Sequence, residues 1–280
     1  MNKKFGIIGS PVEHSKSPTI HSAAYRVLGL DWEYSRDEVS KGSLATFING
    51  LDDSWQGLSV TAPLKNEANK FAKNLDEYSK LTGVTNTLIR NSSGGWDGYN
   101  TDIFGIVQTI RRKNNSEINS SLVIGSGATA HSAILAISII APRSELRIYA
   151  RNSQTRKAAI RFAKSLGLSA KRAWFFETSA ATADLVISSL PAHSLDAIAR
   201  KLKQRHLWKP SGFLLDVSYS AWPSEIAQLW QDAAKPVASG IDMLIWQAIA
   251  QIRLFTNRNI EHPLANEVAV HEAMAVAAQN

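Results

Sequence analysis

The 280-residue chain has no cysteine. That absence excludes disulfides, thiolate metal sites and cysteine nucleophiles. No apolar run approaches the roughly 20 residues needed to span a bilayer. The opening Met1-Asn-Lys-Lys-Phe-Gly-Ile-Ile-Gly9 passes straight into a short apolar strand rather than a long signal-type apolar core. A soluble, cytoplasmic protein without a membrane partner is expected. Charged residues make up only 20% of the chain and hydrophobic residues 44%, an ordinary balance for a globular protein. The length allows two domains or one large one. The histidines, His14, His21, His131, His193, His206, His262 and His271, show no ligand spacing, so no metal is assigned. Trp55, Trp174 and Trp230 are expected in the core.

The net charge of +7 invites a nucleic-acid partner, but the basic residues are unevenly spread. From Arg143 to Arg172 there are nine basic residues and one acid, Glu145. This cluster falls within one subdomain and lacks the aromatic interleaving of a single-strand binder. A local anionic ligand, such as a nucleotide phosphate, accounts for it at least as well, together with solvated helix faces. Small molecules rather than nucleic acid are the expected partners.

Apolar strands alternate with helical patterns throughout. In the first hundred residues, Phe5 to Ile8, Trp32 to Val39, Gly57 to Val60 and Val84 to Ile89 read as strands, and Trp96 to Tyr99 pairs back across the turn Asn91-Ser-Ser-Gly-Gly95. Ser17-Pro18 opens a helix that Gly29 closes, with Ser17 as its N-cap. A helical stretch is predicted from about Asn66 to Lys80 and another from Asp102 to Arg112. After the polar spacer 113–120 a βαβ rhythm begins: Leu122-Val-Ile124, a helix from Ala128 to Ile140, Leu146 to Tyr149, a helix to Leu166, then Leu185-Val-Ile187 and Phe213-Leu-Leu215. Such alternation argues for a parallel, doubly wound sheet. Two C-terminal helices, about 242–255 and 265–278, are expected to pack back on the first domain.

Two constellations carry chemistry. Lys65 follows the proline-punctuated strand end Ser59-Val-Thr-Ala-Pro-Leu, and Asp102 stands at a later strand-to-helix junction, Asn100-Thr-Asp102. An ammonium and a carboxylate at neighbouring strand ends can handle the proton of a carbonyl or alcohol; the same spacing also fits a surface salt bridge. Gly125-Ser-Gly127-Ala-Thr-Ala130 sits between a strand and a helix and fits G-x-G-x-x-A, the dinucleotide fingerprint. An NAD enzyme places an acid at the end of the next strand, but here it reads Tyr149-Ala-Arg151-Asn152-Ser153, with Arg156 and Lys157 following. A guanidinium there suits a 2′-phosphate, which favours NADP.

With these pieces placed, the chain resembles the shikimate dehydrogenases almost end to end. The resemblance rests on Gly9-Ser-Pro-Val-Glu-His-Ser15-Lys-Ser17-Pro18, Ser59-Val-Thr61-Ala-Pro-Leu-Lys65, Val84-Thr-Asn86-Thr and Asn100-Thr-Asp102-Ile-Phe-Gly105. The dinucleotide loop, Asp216-Val-Ser-Tyr219 and Gly240-Ile-Asp-Met243-Leu-Ile-Trp-Gln247 complete it in family order. It implies an α/β protein of two domains facing each other across a cleft: a substrate domain of residues 1–105 plus 240–280, and a Rossmann-type NADP domain of 106–239. It implies reversible, NADP-linked oxidation of shikimate to 3-dehydroshikimate, in aromatic amino-acid biosynthesis, by a monomer or homodimer. Ser15 and Ser17 would bind the substrate carboxylate; Thr61, Asn86 and Asp102 would hydrogen-bond ring hydroxyls; Lys65, with Asp102, would serve the reacting oxygen; Tyr219 and Gln247 would close the pocket. Cofactor contacts are implied at Gly125, Ser126, Gly127, Ala128, Thr129, Arg151, Asn152, Arg156, Ser189, Gly240 and Met243.

Some positions depart from the commonest family pattern. Ser59 stands where Asn usually precedes Val-Thr, the loop reads Gly-Ser-Gly-Ala for Gly-Ala-Gly-Gly, and Arg156 falls one place late. A quinate/shikimate dehydrogenase is the nearest alternative, but it commonly uses NAD and often alters the second serine, against Arg151 and Ser17. A methylenetetrahydrofolate dehydrogenase would carry Tyr where this chain has Thr61. A non-catalytic NADP or metabolite sensor would not need Lys65 and Asp102.

Overall fold

Short apolar runs punctuated by glycine, proline and asparagine build two separate six-stranded sheets. The computed structural model describes residues 3–205 and 207–279, so His206 lies outside the described residues. Contacts divide the chain into two units, Met1–Gly105 with Leu244–Asn280, and Ile106–Met243.

The first unit runs β1 (Lys3–Gly9), α1 (Ser17–Val27), β2 (Trp32–Glu38), α2 (Leu44–Asn49), β3 (Trp55–Val60), α3 (Lys65–Phe71), β4 (Asn74–Leu75), α4 (Glu77–Thr82), β5 (Thr87–Arg90) and β6 (Trp96–Tyr99), and α5 (Asp102–Lys113) begins in it. Its sheet has the order β2-β1-β3-β5-β6-β4. β1 pairs in parallel with β2 and β3, whereas β5 is antiparallel to both β3 and β6. Ile8, Leu58, Val60, Leu64 and Leu88 form part of its core. The helix expected over 66–80 is two helices. Asn74 and Leu75 leave the helical path to pair with Asp97 and Gly98, and the Asp76 carboxylate then caps α4 by accepting from the Ser79 amide at 2.8 Å. Trp174 is the other local reversal: it is 70% exposed, with the Arg172 guanidinium 3.9 Å over its ring, rather than in the core. Trp230, by contrast, is fully buried.

The second unit continues with β7 (Ser120–Ile124), α6 (Ala128–Ile140), β8 (Glu145–Tyr149), α7 (Ser153–Ser165), β9 (Ser169–Arg172), α8 (Phe176–Thr182), β10 (Leu185–Ser188), α9 (Asp196–Lys203), β11 (Phe213–Asp216), α10 (Glu225–Asp232) and β12 (Val237–Ser239). Every pairing is parallel, and the order β12-β11-β10-β7-β8-β9 is the doubly wound order of a Rossmann fold. The strand order reverses beside β7, so a crevice opens at the carboxyl ends of β7 and β10.

The chain then enters α11 (Gly240–Asn257) and α12 (Glu267–Ala277). α12 packs on α1. Phe255 seats α11 on the first sheet, its ring 4.5 Å from that of Phe5. Gly57 makes this approach possible, because a Cβ there would come within 2.5 Å of the Phe255 ring. Gln251 and Gln247 precede Phe255 at successive four-residue steps, which places all three on one helical face. No helix among the described residues is long and apolar enough to cross a membrane.

Candidate active site

Strand direction gathers the first unit's polar residues at one sheet edge. β1 and β3 run parallel and end there; β5 runs the other way and starts there; β6 ends there again. The segments bearing Ser15 and Ser17, Thr61 and Lys65, Asn86, and Asp102 therefore all adjoin that edge. Thr61 is tied to β1 by its amide, which donates to the Ile8 carbonyl at 2.9 Å.

Lys65 opens α3 and Asp102 opens α5. The Lys65 Nζ donates to Asp102 Oδ2 at 2.6 Å, with only 13% and 5% of the two side chains exposed. The pair is thus a sheltered, charge-assisted hydrogen bond and not the exposed salt bridge the spacing also allowed. Asp102 Oδ1 accepts from Asn86 Nδ2 at 2.8 Å. Asn86 is buried, and its Oδ1 accepts from the Thr101 amide at 2.8 Å. Its Nδ2 also faces Gln247 Oε1 at 3.3 Å. Lys65, Asp102, Asn86 and Gln247 thus form one hydrogen-bonded group, and Asp102 lies in the first turn of α5, where the helix dipole favours a negative charge.

Ser17 is not an N-cap. Lys16 holds that position, Ser17 is the first residue of α1, and Ser15 Oγ accepts from the Ser17 amide at 3.2 Å. The helix begins one residue earlier than the Ser-Pro pair suggests, with Pro18 in its first turn, so it is Ser15 and not Ser17 that meets a first-turn amide. The Ser17 side chain is almost wholly buried. Arg36 holds the preceding loop by donating to the carbonyls of Glu13 and Ser15. His14 is exposed on that loop.

The residues that reading the sequence missed are Tyr34, Thr87, Thr101 and Gln251. Gln251 donates to Thr87 Oγ1 at 2.9 Å and to the Asn86 carbonyl at 3.3 Å, and accepts from Ser59 Oγ at 2.8 Å. Ser59, where the family commonly has Asn, spends its hydroxyl inside the protein. Only the four-residue step from Gln247 to Gln251 could have pointed to the second glutamine. His21 is fully buried beneath this group, stacked on Tyr34 at 4.0 Å. Burial pushes its pKa down to about 3 against a raising hydrogen bond to Gln251, and pushes the Tyr34 and Tyr25 phenols up.

In the second unit the Gly125–Thr129 segment joins β7 to α6. Gly125 adopts φ +119°, closed to side chains, and a Cβ there would sit 2.2 Å from Ser189 Oγ. Nothing lies within 4 Å of a Cβ built on Gly127. Gly127 caps α6 without a side chain, which leaves the first amides of the helix for a ligand anion. Ser189 follows β10 and donates to the Ile124 carbonyl at 2.8 Å, so it braces the turn. Ser126 Oγ lies 2.8 Å from Thr155 Oγ1, and Asn152 caps α7 by accepting from the amides of Gln154 and Thr155. Arg151 is exposed at the end of β8, while Arg156 turns inward, is 7% exposed and donates to the Ala150 carbonyl. Arg156 therefore supports the loop, and Arg151 is the guanidinium left for a ligand. Gly240 abuts the Val217 carbonyl, Met243 is buried, and Tyr219 follows β11. Burial raises the carboxyl of Asp216 at the end of β11 despite bonds from Ser224, Ser218 and Ser188. A glycine turn, an open helix N-terminus and an exposed arginine on the adjoining strand fit a phosphorylated dinucleotide.

The profile of the shikimate dehydrogenase substrate binding domain matches residues 7–88. The shikimate dehydrogenase (NADP(+)) of Nitrosopumilus maritimus is 29% identical, over 91% of this chain and 93% of its own. The crystal structure of Mycobacterium tuberculosis shikimate dehydrogenase is 33% identical over 99% of this chain and 98% of its own, with a TM-score of 0.84. That of a shikimate 5-dehydrogenase from Mycobacterium fortuitum is 32% identical, covers 98% of both chains and has a TM-score of 0.81. Identity of a third along nearly the whole of both chains, on a shared fold, makes this chain a member of the shikimate dehydrogenase family.

Proposed function

We infer that this chain catalyses the reversible, NADP-linked interconversion of shikimate and 3-dehydroshikimate, running toward shikimate in the cell as a step of aromatic amino-acid biosynthesis. The observation that carries the reading is the Lys65–Asp102 pair, 2.6 Å apart and sheltered, with Asn86 on the second carboxylate oxygen. Lys65 donates to the reacting oxygen and supplies its proton when the ketone is reduced. Asp102 holds the ammonium in place and, with Thr61 and Asn86, accepts or donates to ring hydroxyls. Ser15 and Ser17 take the carboxylate, and Gln247 beside Asn86 lines the pocket. Bound NADP(H) supplies the hydride chemistry. The Gly125–Thr129 turn with Ser189 would hold its pyrophosphate, Arg151 beside Asn152 its 2′-phosphate, and Gly240 and Met243 its nicotinamide end. Binding each oxygen with a buried polar group discriminates strongly against analogues that lack one.

Initial rates with shikimate and with quinate, each with NADP⁺ and with NAD⁺, test this reading by the absorbance of the reduced nicotinamide. Fast turnover is expected only with shikimate and NADP⁺. Comparable rates with quinate or NAD⁺ would place the chain on the quinate/shikimate branch, and no turnover with any pair would leave a sensor.

A further inference from the structure

Behind the Lys65–Asp102 pair and Asn86 runs a line of side chains, Tyr34, Ser59, Gln251 and Thr87, with no place in the chemistry proposed above. Tyr34 Oη donates to Ser59 Oγ at 2.6 Å. Ser59 Oγ donates to Gln251 Oε1 at 2.8 Å, and the same oxygen faces His21 Nε2 at 3.3 Å. With its oxygen turned to those groups, Gln251 points its amide hydrogens at Thr87 Oγ1 (2.9 Å) and the Asn86 carbonyl (3.3 Å). Thr87, accepting from Gln251, donates to Asn86 Oδ1 at 2.8 Å. Asn86, its oxygen so occupied, directs Nδ2 at Asp102 Oδ1, and Lys65 takes Oδ2.

Donors and acceptors agree in direction at every step. The line begins at the Tyr34 phenol and ends on Asp102. Ser59, Gln251, Thr87 and Asn86 are each 4% exposed or less. In such surroundings an amide turned the wrong way would set oxygen against oxygen and leave a buried donor unmet. His21 adds no competing charge, because its burial keeps the imidazole neutral through the physiological range.

We propose that Tyr34, Ser59, Gln251 and Thr87 form a one-way hydrogen-bond relay that fixes the amide of Asn86 and, through it, the carboxylate of Asp102. They are positioning residues: none need touch substrate, yet together they hold the acceptor that orients Lys65. The relay rests on the reading of Lys65 and Asp102 as the reacting pair.

Thr87→Val removes the hydroxyl and keeps the β-branched shape, while Thr87→Ser keeps the hydroxyl. The three proteins are compared in kcat/KM for shikimate, in KM for NADP⁺ and in calorimetric affinity for shikimate alone. Thr87→Val is expected to lose about 10–100-fold in kcat/KM and to bind shikimate more weakly, with the KM for NADP⁺ unmoved. Thr87→Ser is expected to recover most of both. Tyr34→Phe keeps the ring on His21, removes only the first donor and gives a smaller loss in the same direction. A Tyr34→Phe/Thr87→Val double variant should be no worse than Thr87→Val alone, because the two break one line. Should Thr87→Val fail to fold, Tyr34→Phe carries the test, and wild-type kinetics and shikimate affinity in it would overturn the proposal. Equal impairment of Thr87→Ser and Thr87→Val, or strictly additive losses, would overturn it as well. A wild type that neither binds nor oxidises shikimate would overturn the reading of the site itself, and the relay with it.

Discussion

At the residue scale, burial separates the side chains proposed to do chemistry from those that only carry charge. The chain has many lysines, but Lys65 is aimed at a carboxylate inside the protein, with 13% of its side chain exposed. Lys171, paired with Glu145, is 60% exposed and contributes little. Lys65→Ala is expected to lower turnover with shikimate by about 10²–10⁴-fold if the ammonium transfers the proton. A rise in KM at unchanged kcat would instead mark Lys65 as a binding residue. The two arginines of the nucleotide loop make the same point in reverse. Arg151 and Arg156 read alike in sequence, yet one is exposed and the other spends its guanidinium on the Ala150 carbonyl. Only the direction of the side chain off α7 tells them apart.

At the element scale, the glycines show which turns are shaped by the protein and which by a ligand. Gly240 starts α11 against the Val217 carbonyl, where a Cβ would come within 2.0 Å of the oxygen. A backbone atom cannot swing aside, so Gly240→Ala should cost about 1–3 kcal/mol of stability, read from chemical denaturation. Gly127 has open space where its Cβ would be. Gly127→Ala should leave the denaturation midpoint within about 0.5 kcal/mol of wild type. It should nevertheless weaken NADP⁺ binding about tenfold or more by titration, because the methyl group fills the approach to the α6 amides. Equal effects of the two substitutions on stability would refute this division. Elements were legible in the sequence where period and punctuation agree: Ser17-Pro18 to Gly29, the hairpin at 91–95, and the strand-turn-helix at 122–140. They were not where a short segment is decided by a sheet edge. Asn74-Leu75 has no strand period of its own and pairs only because β6 lies open beside it.

At the scale of the whole molecule, the buried histidine governs the response to acid. In the unfolded chain the His21 imidazole takes up a proton near the ordinary histidine value of 6.5, and in the fold only near 3. Between those values the unfolded state binds more protons, so stability rises with pH across the window, is complete above it and is lost as pH falls through it. The contribution is up to about 5 kcal/mol. Asp76 and Asp216, whose carboxyls burial pushes up, act in the opposite sense just above the ordinary carboxylate range. The stability of the wild type against denaturant should therefore fall steeply from neutral pH toward pH 5, and a His21→Gln variant should show a much shallower decline. An equal decline in both would remove His21 as the cause. Such a collapse would also break the line from Tyr34 to Asp102, since His21 stacks on Tyr34 and faces Gln251.

The sequence by itself determined the class of fold, the nucleotide turn and the preference for a 2′-phosphate, because each depends on residues close together in the chain; it offered Lys65 and Asp102 as candidates, and the fold made them a sheltered pair across 37 positions. A strand, a turn and a helix start are local events, and so are the glycine and proline that shape them. The tertiary structure alone decided that Ser59 faces inward, that Arg156 is spent on its own loop, and that Gln251 and Tyr34 stand behind the site. Those contacts join residues up to 230 positions apart, as from His21 to Gln251, and no local period encodes the long ones. The contacts of Gln251 come into being only when α11 is laid on the first sheet, where Gly57 lets Phe255 settle and the buried amides find partners in one orientation.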